Sequence, residues 1–303
     1  MKKYDIIGDI HGYASSLINL LEKMGYKKTG NTYHHKDRKV IFVGDYIDRG
    51  TEEESACMIV KAMVESGDAF ATMGNHEYNA ICYATMGSNG EYLRPHTPNN
   101  TRQHSAFLKE FPFGSSKHNE IIDWFKTLPV FLEIDGIRIV HATWDQPSID
   151  LFKKELPNNI LTDEFLHLSA VEDSPQYNAI ETALKGIELI LKDNLFWKDK
   201  DGIERNTMRF NWFTERETST YINSALSFPD KSILTDKVIE NAPAIYKDKI
   251  PVFFGHYWMS GTPVVQTPYT ACVDYSVAKG GSLVAYRWDG ETELDNSKFI
   301  YCT

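Results

Sequence analysis

Nowhere in the 303 residues does an apolar run approach the roughly 18 that a membrane span needs, and the opening MKKYDIIGDIHG reaches acidic residues too soon for the apolar stretch of a secretory leader. The expected location is therefore cytoplasmic. Cysteine is scarce and scattered: Cys57, Cys82, Cys272 and Cys302 form no Cys-x-x-Cys pair, so neither a disulfide framework nor a thiolate zinc site is indicated. Any metal must be held by nitrogen and oxygen. Positive charge is also short, with 32 Lys and Arg against 42 Asp and Glu and a net charge of −10. That balance disfavours broad adhesion to long nucleic acid or an anionic membrane. Repeats, low-complexity segments and a clear interdomain linker are all missing. What remains, 42% hydrophobic and 24% charged residues, describes a globular chain able to bury a substantial core.

Tyr4 to Ile7 is an apolar run stopped by Gly8-Asp9, after which Leu17, Leu20, Leu21 and Met24 recur at helical spacing. The pattern repeats with Lys39 to Val43 followed by Ala56, Ile59, Val60 and Met63, and again with Ala69 to Met73 followed by Gly74-Asn75-His76-Glu77. Three strand-loop-helix units predict a parallel sheet whose functional loops lie at the carboxyl edge. Short helices are predicted over Ser105 to Phe111 and Asn119 to Thr127. Hairpins are predicted around Asp135-Gly136 and Asp289-Gly290, so antiparallel strands join the core. Between Ser148 and Lys249 the pattern predicts helices, one through Ile180, Leu184, Ile187 and Leu191 and one over Thr235 to Tyr246, and hence a helical insertion within a single domain spanning 1–303.

The strand-end loops are dense in metal-ligating side chains. Gly8-Asp9-Ile10-His11-Gly12, Gly44-Asp45-Tyr46-Ile47-Asp48-Arg49-Gly50 and Gly74-Asn75-His76-Glu77 end the first three strands, and later apolar runs end at His141 and at Gly255-His256. Asp9, His11, Asp45, Asn75, His141 and His256 make a set without sulfur, suited to Mn, Fe or Zn. Six ligands exceed one tetrahedral ion and suit two ions sharing Asp45, a pair able to generate hydroxide at neutral pH and clamp a phosphoryl oxygen.

These motifs, Gly-Asp-x-His-Gly, Gly-Asp-x-x-Asp-Arg-Gly and Gly-Asn-His-Glu in order over residues 5–77, resemble those of the calcineurin-like metallophosphoesterases. The similarity is to the branch holding Ser/Thr protein phosphatases, bacterial symmetrical diadenosine tetraphosphatases and bacterial polynucleotide end-processing phosphatases. His141 in Val-His-Ala and His256 in Gly-His are similar to the later motifs, and Asp274 to Leu283 loosely to the closing strand pair. The resemblance implies an α/β fold, a four-layer α/β/β/α sandwich with mixed sheets. It also implies one metal on Asp9, His11 and Asp45 and a second on Asp45, Asn75, His141 and His256, manganese first with iron or zinc as alternatives. Arg49 would grip the substrate phosphate, with Asn75 helping to position it, and His76, oriented by Asp48, would protonate the leaving oxygen. Chemistry supports those roles independently, since a guanidinium fork suits phosphate and an imidazole backed by a carboxylate is a credible acid near neutral pH.

The chain departs from the relatives at Ala142-Thr143-Trp144, where they continue with small residues, and in the separation of 115 positions from His141 to His256. The insertion, 148–249, is expected to form a lid or substrate wall. Arg205, Arg209 and Arg216 are its candidates for a second phosphate contact, with Arg209 preferred because it sits inside the aromatic segment Met208 to Trp212. Other features have plainer readings. His34, His35, His96, His104, His118 and His167 read as exposed or structural, Arg94 and Arg102 as parts of a solvated loop, and Trp144, Trp197, Trp212 and Trp258 as core rather than a base-stacking platform. Glu77 reads equally as support for the ligands or as a first-turn helix carboxylate. The expected activity is metal-dependent hydrolysis of a phosphate ester or anhydride. Candidate substrates are dinucleotide polyphosphates, phosphopeptides and RNA ends or nucleotides. The alternative from another class is a metal-binding scaffold, against which stands the presence of all six ligands with Asp48, Arg49 and His76.

Overall fold

In the computed structural model, residues 2–192, 195–198 and 204–302 are described, and the chain divides into two compact units, Met1–Lys185 with Lys249–Thr303, and Gly186–Asp248. The first begins with β1 (Tyr4–Ile7), buried at all four positions, and α1 (Ala14–Lys23), whose Leu17, Leu20 and Leu21 face inward. A small hairpin, β2 (Lys27–Thr29) with β3 (Thr32–His34), was not legible as strand; it leads into β4 (Lys39–Phe42), α2 (Glu53–Glu65), β5 (Ala69–Ala71) and α3 (Asn75–Ala84). Then come α4 (Pro98–Gln103), α5 (Ser105–Glu110), α6 (Ser116–Phe125), β6 (Phe131–Ile134) and β7 (Ile137–Val140). Asp135 (φ 48°) and Gly136 (φ 90°) make the tight turn between β6 and β7 that the sequence predicts. Three more helices, α7 (Gln146–Glu155), α8 (Asp163–Ser169) and α9 (Pro175–Lys185), complete the N-terminal part.

The second unit is where the helical expectation fails. Gly186, at φ 86°, halts α9 at Lys185, so Ile187 and Leu191 lie beyond the helix. Strands follow: β8 (Glu188–Ile190), β9 (Trp197–Lys198), β10 (Glu204–Arg205), β11 (Thr207–Phe210), a short α10 (Tyr221–Ser224) and β12 (Ala225–Leu226). They form a three-stranded sheet, β12-β11-β8, and a β9-β10 pair. No helix covers Thr235 to Tyr246; Asn241 sits at φ 53° and Pro243 lacks the N-H a helix would need. Parts of the expected insertion, 193–194 and 199–203, lie outside the described residues.

The chain returns to the first unit with β13 (Val252–Phe254), β14 (Thr270–Cys272), β15 (Asp274–Tyr275), β16 (Ser282–Trp288) and β17 (Phe299–Cys302). Two mixed sheets result. One runs β15-β16-β1-β4-β5 with β17 on β16, parallel from β1 through β5; the other runs β14-β13-β7-β6, parallel except for the β6-β7 hairpin. Tyr4, Ile6 and Ile41 of the first share one buried cluster with Ile137, Ile139, Phe253 and Ala271 of the second, so the sheets pack face to face. Alternate residues such as Val40 and Phe42 are buried on the opposite face. This is the mixed α/β sandwich that the motifs imply.

Candidate metal centre

Five strands, β1, β4, β5, β7 and β13, end just before the candidate ligands. The loops that follow are tight: His11, Asp45, Asp48, Arg49, His256 and Trp258 all have positive φ, between 48° and 97°. Such conformations cost about 1 kcal/mol or more each and persist where surroundings over-determine them. Two glycines show how close the loops come. A Cβ on Gly74 would stand 2.3 Å from Asp45 N and Oδ1, and one on Gly255 would stand 2.0 Å from Asp9 Oδ1.

Glu77, left open by sequence, is the fastener. Fully buried, its carboxylate accepts from Asp45 N (2.8 Å), Gly74 N (2.9 Å) and Tyr46 N (2.8 Å), tying the β4 loop to the start of α3. The β7 loop is held from behind by α9, where Ala142 N donates to Ala183 O at 2.9 Å.

Within this frame the six candidates converge around Asp45 Oδ2. It lies 3.3 Å from His141 Nε2 and 3.8 Å from His11 Nε2, and the latter is 4.0 Å from Asp9 Oδ2. Asn75 Oδ1 is 2.8 Å from His256 Nδ1 and 3.1 Å from His141 Nε2. His141 Nδ1 donates to Val43 O and His11 Nδ1 to Ile47 O, each at 3.0 Å, so both Nε2 atoms turn lone pairs toward carboxylate oxygen. Lone pairs facing one another in a buried place call for a cation between them. Two ligands each about 2.1 Å from one ion stand about 3 to 4 Å apart, the spacing seen here. Turned round, the Asn75 amide would instead donate from nitrogen to both imidazoles and to Leu184 O at 3.3 Å; with a cation at that point, oxygen is the atom that faces it. Asp9 Oδ1 and His11 Nε2 are buried with no hydrogen-bond partner among the described residues. Burial, reinforced by Asp274 and Asp45, pushes the Asp9 carboxyl well above its usual range, the mark of a site short of positive charge. The residues present therefore fit divalent metal on nitrogen and oxygen.

Beside this cluster His76 Nδ1 lies 2.7 Å from Asp48 Oδ2, while its Nε2 is 3.9 Å from Asp45 Oδ2. Burial opposes the charged imidazole, but Asp45 and Asp48 outweigh it and hold His76 up at about 9. Arg49 is exposed and close enough for His11 and His76 to feel its charge. Arg209 belongs to the Gly186–Asp248 unit, mid-β11 and opposite Glu188 in register. In the same unit Arg216 braces its own loop through Asn211 O, Thr214 O and Ser219 Oγ.

Against this frame, the motif profile of the calcineurin-like phosphoesterases matches residues 2–174, more than half the chain. The chain belongs to the calcineurin-like phosphoesterase family. Curated relatives in that family include the asymmetrical bis(5'-nucleosyl)-tetraphosphatase PrpE of Oceanobacillus iheyensis, 30% identical over 154 residues, half of this chain and 60% of that protein. The PrpE of Geobacillus sp. is 43% identical over 75 residues, 24% of this chain and 31% of its own length. The chain thus spans about a third to three fifths of these relatives. A protein serine/threonine phosphatase from Saccharomyces cerevisiae shares the fold, with TM-score 0.51 and 14% identity over 99% of this chain and 79% of that one. Calcineurin-like phosphoesterases use divalent metal, which agrees with the donor set assembled here.

Several side chains at this family's site carry no signal in the sequence. Asp274 accepts from Trp258 N (2.7 Å) and Ser276 N (2.9 Å), fixing the loop behind His256. Trp258 stacks on His11 at 5.3 Å and 24°, whereas Trp144 and Trp212 are core as expected. Arg94, read as a solvated-loop residue, is half-buried, held by the amide oxygens of Asn79 and Gln103, and lies within electrostatic range of Asp48. His104, read as exposed or structural, is buried against Asp48.

Proposed function

We propose that the chain is a bimetal-dependent phosphohydrolase acting on a small phosphorylated substrate, with dinucleotide polyphosphates first among the substrate classes. The observation that carries this reading is the shared oxygen: Asp45 Oδ2 stands between two ligand groups, His11 with Asp9 on one side and His141, Asn75 and His256 on the other, with His76 alongside. Two divalent ions held there, manganese first and iron or zinc as alternatives, would activate water and lend positive charge to the phosphoryl oxygens. Arg49 binds the phosphate through its guanidinium, and the Asn75 amide helps position it. His76 gives its Nε2 proton to the departing oxygen, while Asp48 accepts from Nδ1 and keeps the ring aimed. Arg94 lends a second positive charge suited to a polyphosphate chain.

The curated relatives' names support nucleotide polyphosphate over phosphopeptide. No helix among the described residues is long and apolar enough to cross a membrane. The test is chelator-stripped protein refilled with Mn²⁺ and offered an aryl phosphate, diadenosine tetraphosphate, a phosphopeptide and a 2',3'-cyclic nucleotide. Metal-dependent cleavage with preference for the dinucleotide is the expected result. Turnover of none of the four, with metal bound, would leave the scaffold reading.

A further inference from the structure

The Asp48 carboxylate serves two imidazoles. His76 Nδ1 approaches Oδ2 at 2.7 Å, and His104 Nδ1 approaches Oδ1 at 3.0 Å from 56 residues away. A carboxylate of this kind only accepts, so both Nδ1 atoms donate. His104 is placed rather than merely near. It is the junction residue between α4 and α5, its own N-H accepted by Asn100 O at 3.1 Å. Its ring stacks on Phe107 at 4.6 Å and 19°, and Phe107 in turn on Phe111 at 4.8 Å and 19°. Asp48 itself is pinned at the backbone, where its N-H donates to Glu53 Oε2 at 2.8 Å in a left-handed turn, φ 66°. An aspartate so fixed still has its carboxylate plane free to rotate, and one imidazole would follow that rotation. A second donor on the other oxygen removes it.

We propose that His104 is a positioning residue for the proton donor: by holding Asp48 Oδ1 it fixes the carboxylate plane, and through it the tautomer and aim of His76. The inference rests on the reading of His76 as the acid. With both Asp48 oxygens engaged, the Nδ1 proton of His76 has one direction available, so its second nitrogen faces the pocket. His104 is not among the side-chain groups placed to hold a metal ion. Its Nε2 is buried without a hydrogen-bond partner among the described residues, so Nδ1 is the atom it uses.

Two substitutions separate positioning from packing. His104→Phe keeps a ring on Phe107 but removes the donor; His104→Asn keeps an N-H near the Nδ1 position but loses the stack. Each is compared with the wild type and His76→Asn on aryl phosphates spanning acidic to basic leaving groups, with metal content measured throughout. His104→Phe should retain metal, lose about tenfold in kcat on the poorest leaving group, and lose little on the most acidic one, while His104→Asn recovers most of that loss. In the metal-free protein, ¹⁵N-histidine spectra should show the His76 Nδ1-H resonance broadened in His104→Phe and restored in His104→Asn. The inference is overturned if His104→Phe behaves as wild type in both readouts, or if His104→Asn is the more damaged of the two. A His76→Asn variant without leaving-group dependence would instead remove the acid assignment, whatever His104 does.

Discussion

The two units of this chain spend their residues differently. In the first, β1, β7 and β13 are buried at every position and β4 at all but its first. In Gly186–Asp248, β8 and β10 are half or fully exposed, and Ile190, Phe196 and Val238 stand more than half open to solvent. Buried strands make a frame stiff enough to hold loops in left-handed backbone, and every candidate ligand is on that frame. The smaller unit contributes none of them. Chemistry that needs ligands within a few tenths of an ångström is built on rigid elements, and parts that tune recognition tolerate looser ones.

That contrast can be broken by substitution. Asp45→Asn, which weakens the one oxygen common to both ligand groups, should lower turnover about a hundredfold or more and reduce metal content together. Next in size, Phe253→Ala empties the space between the sheets and should cost about 3 to 5 kcal/mol in denaturant unfolding, whereas Ile190→Ala should stay within about 0.5 kcal/mol. Equal costs would mean the two units are equally packed. Glu77→Gln, which replaces an acceptor for three buried N-H groups by one with half the capacity, should cost about 1 to 3 kcal/mol and weaken metal binding as the β4 loop loosens.

The smallest effect is electrostatic. Asp289 is buried only in part, but Lys298 at 2.6 Å and Arg38 at 2.5 Å hold its carboxyl well below the ordinary range. A depressed carboxylate stabilises the fold above its unfolded pKa, about 4, and the contribution is lost as pH falls below that toward the folded value. Asp289→Asn should therefore lower stability by a small, roughly constant amount between pH 6 and about 8 and flatten the acid side of the profile, where variant and wild type converge. An unaltered acid limb would show that the pair is screened by solvent.

The first three strand-loop-helix units were legible because their strands are mostly apolar, Asp5 and Lys39 apart, and their loops begin with Gly-Asp or Gly-Asn. The Asp135-Gly136 hairpin was legible for its turn chemistry. The Gly186–Asp248 strands were not, since pieces of two to four residues with exposed positions give too short a run for a period-2 signal, and α9 was overrun because the apolar spacing continues past Gly186. Within the site, local motifs exposed Asp9, His11, Asp45, Asn75 and His76 as candidates. His104, Arg94 and Asp274 escaped because their meaning lies in partners brought together only by the fold, Asp48 with His104 across 56 residues.

Metal stoichiometry tests the central claim most directly. Elemental analysis of protein reloaded with Mn²⁺ and desalted should find two ions per chain in the wild type, one after His11→Ala, one after His141→Ala, and fewer than one after Asp45→Asn. A wild type saturating at one ion, or an Asp45→Asn variant that keeps two, would contradict the shared-oxygen centre.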